Sequence, residues 1–268
     1  MFDLINNLIK LIISGFAFLI RKSPSALKFL FTHALKYETI EFFDTQYYLG
    51  YAHIEKAIKL SKEIKATTGI IVDVGGADGT TPKIFSKAFP KNKVYIFEPL
   101  RENYSLIQKE LKHFPNLILI NKAAGSISKK GIINKTKRIT SSSMYHPITE
   151  SNSELFSDIL FVAESEEVEI TTLDESIPQN ESVSILKLDV QGYELEVLKG
   201  AAAVIKKTAI IVLEMNNHNN YQGAPKYYDV DNHLRSNNFI LYDIFPSTKD
   251  RGQLKEWDSI YIRIDLIK

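Results

Sequence analysis

Residues 70–79 read Ile-Ile-Val-Asp-Val-Gly-Gly-Ala-Asp-Gly, a short β-branched run that ends in a glycine cluster. A continuous apolar run of this length suits a parallel strand buried on both faces. Gly75, Gly76 and Gly79 permit backbone turns and close approaches that a β-carbon forbids, and Thr81 to Ala88 continues as a helix. Strand, glycine turn and helix in that order make a ligand cradle, because amides at a helix start face a carboxylate or phosphate. The spacing is not the dinucleotide pattern G-x-G-x-x-G. Asp73 stands two residues before the first glycine. A carboxylate there repels a pyrophosphate and attracts an ammonium, so the loop favours a ligand with an amino-acid end. The plain alternative is a tight strand-to-helix turn that holds no ligand.

Outward from this loop the chain alternates strand and helix. Apolar runs recur at 94–97, 117–120, 185–188, 210–213, 239–242 and 260–264. Helical spacing occupies Ile54 to Lys65, Thr81 to Ala88, Arg101 to Lys112, Tyr193 to Lys199 and Val230 to Ser236. The alternation predicts an α/β fold with a doubly wound sheet of seven strands. Pro246 to Trp257 carries no helical pattern, so the last two strands are expected as an antiparallel pair at one edge. Residues 123–172 break the rhythm. They are rich in Ser, Thr, Lys and Gly and read as an inserted hairpin and loop over the top of the sheet.

Composition narrows the function. The chain has 268 residues, 44% hydrophobic and 24% charged, which excludes a disordered chain, a fibre and a multi-span membrane protein. A formal net charge of +1 provides no global field for nucleic acid, and no nucleic-acid partner is expected. The absence of cysteine excludes disulfides, thiolate metal sites and a cysteine nucleophile, and fits a cytoplasmic location. Residues 4–20, LINNLIKLIISGFAFLI, precede Arg21 and Lys22. The segment is short and interrupted for a membrane span. It reads as a helix packed on the domain or on a second subunit, or as an interfacial helix whose residues 4–22 touch the cytoplasmic face of a membrane. With Leu27 to Leu35 it forms a helical appendage, 1–37, ahead of a domain over 38–268.

The run 94–97 ends in Glu98-Pro99, and Glu98 follows Gly79 by 19 residues. An acid at that distance, at the end of the second strand, grips ribose hydroxyls. Coupled to the glycine loop and Asp73, it favours S-adenosylmethionine over NAD.

At this point the sequence resembles the FkbM type of S-adenosylmethionine-dependent methyltransferases. The residues that carry the likeness are VDVGGADG at 72–79, IFEP at 96–99, INKAAG at 120–125, SSSMY at 141–145, VEITTLDE at 168–175, ILKLDVQGYELEVLKGA at 185–201 and IIVLEM at 210–215. The resemblance implies the class I methyltransferase fold, Rossmann-like and seven-stranded, with its last strand antiparallel. It implies that Asp73, Gly75 and Gly79 line the methionine end of the cofactor, that Glu98 takes the ribose, and that Asn121 and Lys122 lie near the adenine. Gly76, Ala77, Asp78, Pro99 and Asp189 are expected among the cofactor-binding residues. Two positions depart from the family pattern: Asp78 stands where Asn is common, and Gln191 where a second acid is common.

The chemistry is expected around the fourth strand end, at Lys187, Asp189, Gln191, Gly192 and Glu194. Lys187 and Asp189 share one face of a strand, Leu186 and Leu188 the other. They are either an internal ion pair that fixes the strand end, or a site in which Asp189 stands beside the transferred methyl and takes a hydroxyl proton. Burial would raise the Asp189 pKa and the lysine would lower it. Glu214 ends the fifth strand, and His218 in the following loop is a second candidate base. Asp189, Glu214 and an amide would suit Mg²⁺, but no close-spaced ligand motif supports a metal and none is expected. Hydroxyls and a ring in Ser141 to Tyr145 suit a polyol. The resemblance thus implies O-methylation of a hydroxyl on a small-molecule or glycan acceptor, such as a sugar, glycan or glycolipid intermediate. The alternatives are a natural-product O-methyltransferase and a non-catalytic scaffold that retains the fold.

Overall fold

The structure of the protein, a computed structural model, describes residues 51–136, 142–148, 162–217, 221–250 and 253–267. The appendage 1–37, Ser141 and His218 lie outside the described residues. The chain order is α1 (Ala52–Glu63), β1 (Ile70–Val74), α2 (Thr80–Ala88), β2 (Val94–Phe97), α3 (Arg101–Glu110), β3 (Leu117–Ile120), β4 (Ala123–Ala124), β5 (Lys129–Thr136), β6 (Val162–Thr171), α4 (Leu173–Ser176), β7 (Val183–Leu188), α5 (Glu194–Lys199), α6 (Ala202–Lys206), β8 (Thr208–Asn216), α7 (Tyr227–Ser236), β9 (Phe239–Asp250) and β10 (Gln253–Arg263).

The main sheet has seven strands in the order β3-β2-β1-β7-β8-β10-β9. Pairing from β3 through β8 is parallel, and β10 runs antiparallel to both neighbours. The expected seven strands and antiparallel last strand are therefore present. The chain winds one way from β1 to β3 and the other way from β7 outward, so the order reverses between β1 and β7. Ligands of such sheets bind outside the carboxyl ends of the strands at this reversal.

One expectation fails. Pro246 to Trp257, read as a loop, belongs mostly to β9 and β10, with Pro246 paired to Trp257. Polar residues and a proline hide the strand, but β9 is the sheet edge, where a residue without an N–H is tolerated. The insertion is a second sheet, β4-β6-β5, which is the expected hairpin plus one short parallel strand. Its exit explains the TTLDE stretch. Thr172 accepts the amide of Glu175 at 3.1 Å, which caps α4. The Asp174 carboxylate accepts the amides of Ala203 and Val204 at 2.9 Å, which caps α6.

The two faces of the sheet differ in kind. On one, Val72, Val74, Leu186, Leu188, Ile211 and Leu213 join the main core with Val197, Leu198 and Val204. On the other, the register aligns Asp73 with Lys187, Lys187 with Val212, and Glu214 with Asp258. Side chains alternate along a strand, so Asp73, Lys187, Glu214 and Asp258 occupy this second face. Asp189 continues it, because its amide extends the ladder to Val74 O at 3.0 Å. Helix α1 is tied to β9 and β10 by His53 to Asp258 and Lys56 to Asp243.

Asp174→Ala strips the cap from α6 and is expected to lower stability by about 0.5–2 kcal/mol, measured by urea unfolding, with Asp174→Asn losing less.

Candidate active site

The glycine loop is pressed between two strand ends. Gly75 has φ +90°, and a β-carbon on it would lie 2.0 Å from the carbonyl oxygen of Asp189. One on Gly76 would lie 2.6 Å from Ile96 Cγ2. Only glycine permits both the positive φ and the contact at 75. Asp78 Oδ1 accepts the Thr80 amide at 2.9 Å and so closes the first turn of α2. Glu98 comes back onto this loop: its Oε2 accepts the Ala77 amide at 2.8 Å, and its Oε1 accepts Leu100 N at 3.0 Å and Asn103 Nδ2 at 3.3 Å. Burial pushes the Glu98 carboxyl up to about 7 against these hydrogen bonds. Three bonds leave part of its four-site acceptor capacity for a ligand hydroxyl.

Asn121 and Lys122 occupy the neighbouring strand end. Asn121 Nδ2 donates to Glu98 O at 2.9 Å and Pro99 O at 3.0 Å, which fixes the backbone that carries the acid. Lys122 pairs with Glu169 of β6 at 2.9 Å. Both side chains thus serve the loop itself in this structure.

Asp73 is fully buried, and neither of its oxygens makes a hydrogen bond of good geometry among the described residues. The ammonium it faces is internal: Lys187 Nζ lies 3.2 Å from Oδ1. Lys187 also donates to Gly75 O at 3.1 Å and stands 3.6 Å from Asp189 Oδ2. Burial raises Asp73 to about 6 and Lys187 works against it. Burial lowers the Lys187 pKa, but Asp73 and Asp189 prevail and hold it above its ordinary value. The ion-pair reading of Lys187 and Asp189 is therefore present in the structure. A glycine cradle and an acid after β2 with one acceptor site unused fit the methionine end and a ribose hydroxyl of S-adenosylmethionine.

Beyond β7 the chain turns through Gln191, whose φ is +53°. Its Nε2 donates to Asp189 Oδ1 at 2.9 Å and to Glu214 Oε2 at 3.0 Å, and its Oε1 accepts from the Tyr221 hydroxyl at 3.0 Å. The departure from the family pattern is thus the joint of the site: one amide holds two carboxylates that a third acid would repel. Burial, then Asp189, raises the Glu214 pKa well above the ordinary range. Glu194 accepts Val190 N at 3.1 Å and Gly192 N at 3.2 Å and closes the turn. Ser143 corrects an expectation. It is buried, and its hydroxyl donates to Gln191 O at 2.7 Å, so it braces the turn and is not free for a polyol.

Sequence reading missed three participants, and it placed Gln191 at the strand end without its bridging role. Tyr221 carries no signal in the sequence. Asp258 sits among mostly polar neighbours just before the apolar run 260–264 and does not stand out in the sequence. No motif in the sequence gives His53 a constellation. The fold supplies one, with Nδ1 at 3.2 Å from Asp258 Oδ2. The Phe245 ring stands beside this imidazole. Among the described residues no cluster of three or more His, Asp or Glu side chains is arranged to hold a metal, and no helix is long and apolar enough to cross a membrane.

A doubly wound sheet with a glycine loop and an acid after β2 defines a class I methyltransferase fold. The family described as Methyltransferase FkbM domain matches residues 73–241, and the chain belongs to the FkbM methyltransferase family. Among solved structures it is similar to an FkbM methyltransferase from Methylobacillus flagellatus KT, at 16% identity and a TM-score of 0.49, over 73% of this chain and 44% of that one. The chain therefore spans less than half the length of that relative. Two further similar structures contain S-adenosylmethionine. They are fibrillarin from Aeropyrum pernix (12% identity, TM-score 0.42, 73% of this chain and 66% of that one) and magnesium protoporphyrin IX methyltransferase from Synechocystis PCC 6803 (13%, 0.41, 79% of each). No curated protein matches the chain.

The Glu98 shift has a signed consequence. The folded state holds this proton up to about 7, against an ordinary 4.5, so ionisation costs stability as pH rises between those values. The wild type is expected to lose stability relative to Glu98→Gln across that window, read by chemical unfolding at its two ends.

Proposed function

We propose that the protein transfers a methyl group from S-adenosylmethionine to a hydroxyl oxygen of a sugar or glycan acceptor. The observation that carries this reading is the Asp189–Gln191–Glu214–Tyr221 constellation at the strand ends next to the glycine loop. Bound at that loop, the cofactor supplies an electrophilic methyl on a sulfonium. The glycine loop, underpinned by the buried Asp73–Lys187 pair, receives its methionine end, and the spare acceptor site of Glu98 receives a ribose hydroxyl. Asp189 is 45% exposed and is the carboxylate placed to orient the acceptor oxygen. Two carboxylates and an amide match the several hydroxyls of a sugar. Positioning is the main demand of such a displacement.

Calorimetry with S-adenosylhomocysteine tests the cofactor. Binding by the wild type and weakened binding by Glu98→Ala are expected, and a silent wild type would refute the assignment. Methyl transfer from labelled cofactor to a panel of cell-envelope sugars and natural-product alcohols tests the acceptor class. With a sugar from that panel, Asp189→Asn is expected to lower turnover about 10²-fold and to leave S-adenosylhomocysteine affinity unchanged.

A further inference from the structure

We propose that His53, held by Asp258, is the general base that takes the proton of the acceptor hydroxyl. The inference rests on the methyl-transfer reading above and goes beyond it in naming the proton acceptor. His53 enters from the first turn of α1 and Asp258 from β10, two elements far apart in sequence. Their side chains meet on the sheet face that carries Asp73, Lys187, Asp189 and Glu214. The contact runs through Nδ1, 3.2 Å from Asp258 Oδ2. A neutral imidazole that presents Nδ1–H to a carboxylate keeps its Nε2 lone pair for a ligand, and no described residue bonds Nε2. The imidazole is neither sealed nor loose: its side chain is 12% exposed, and the Phe245 ring meets it edge-on with centroids 6.3 Å apart.

The other candidates are already engaged. Asp189 accepts from Gln191 and faces Lys187, and Glu214 accepts from the same amide. The charged groups around the pair set its protonation. Burial first, then Lys187 of β7, lowers the imidazole to about 4, and Asp189 opposes them. Burial first, then Asp189, raises Asp258 to about 7; Lys187 opposes them and Glu256 adds to the rise. The start of α1 also disfavours a cation at His53. The imidazole is therefore neutral at pH 7, the form in which Nε2 can take a proton.

The step balances as follows. As the acceptor oxygen forms its bond to the methyl carbon, His53 Nε2 takes the hydroxyl proton. The methyl–sulfur bond breaks with its electron pair left on sulfur, so the positive charge passes from the sulfonium to the imidazolium. Asp258 then stabilises that imidazolium across Nδ1.

Two measurements test the assignment. Imidazole ¹⁵N resonances of the ligand-free protein, assigned by loss in His53→Gln, are expected to show neutral His53 as the Nδ1–H tautomer just above pH 7, altered in Asp258→Asn. An Nε2–H tautomer, or no response to Asp258→Asn, overturns the pairing. Methyl transfer to methyl hexopyranosides is expected to fall about 10²–10⁴-fold in His53→Gln, with S-adenosylhomocysteine affinity retained in calorimetry. Wild-type turnover by His53→Gln overturns the base while the methyl-transfer reading stands. No turnover by the wild type itself overturns that reading, and the base falls with it. Should His53→Gln fail to fold, Asp258→Asn carries the same test, because the shape-conserving amide keeps the contact but cannot stabilise the imidazolium.

Discussion

The buried contact of Lys187 with Asp73 and Asp189 is the constraint on which the rest of the site depends. An ammonium and a carboxylate taken out of water in the middle of a parallel sheet are costly unless they meet. Here they meet across the β1–β7 register, and the same ammonium bonds the carbonyl of Gly75. One side chain therefore ties the strand that starts the glycine loop, the loop itself and the strand end that carries Asp189. Removal of a single partner would strand the other charge, a loss of about 3–5 kcal/mol. The pair is better understood as a means of fixing geometry than as a source of net stability.

From that anchor the polar groups spread along one face of four strands. Asp73 and Lys187 stand at the reversal of strand order, Asp189 and Glu214 one step outward, and Asp258 and His53 beyond them. Like charges so close need mediation. Lys187 provides it beside the glycine loop with a cation, and Gln191 provides it between the ends of β7 and β8 with a neutral amide whose hydrogens reach Asp189 and Glu214. The opposite face is apolar, aliphatic on β1, β7 and β8 with rings such as Phe97 and Tyr261 beside them, and carries the core. The division lets a rigid, well-packed sheet present titratable groups that burial shifts from their ordinary values.

The candidate cofactor site was legible because its parts are local. Asp73, Gly75, Gly76 and Gly79 lie within one turn of chain, and Glu98 stands at a spacing set by one strand–helix–strand unit. Asn121 and Lys122 were legible as a strand end, but not in their partners: Asn121 holds the backbone of Glu98 and Pro99, and Lys122 turns to Glu169. The acceptor side was less legible. Gln191 acts through side-chain bonds to residues up to 30 positions away, and Ser143 reaches it from the insertion. No spacing rule encodes such contacts.

The sequence by itself determined the strand–helix alternation, the seven strands, the glycine turn and the acid after the second strand. Each of these follows from periodicity or from backbone limits within a short window. Tertiary structure alone decided that Pro246 to Trp257 is mostly edge hairpin, that the TTLDE stretch caps two helices, and that Lys187 answers Asp73. It also decided that His53 meets Asp258, 205 residues further on by their numbers. Such pairings depend on strand order and register, and these are set by which faces bury together once the whole sheet has formed.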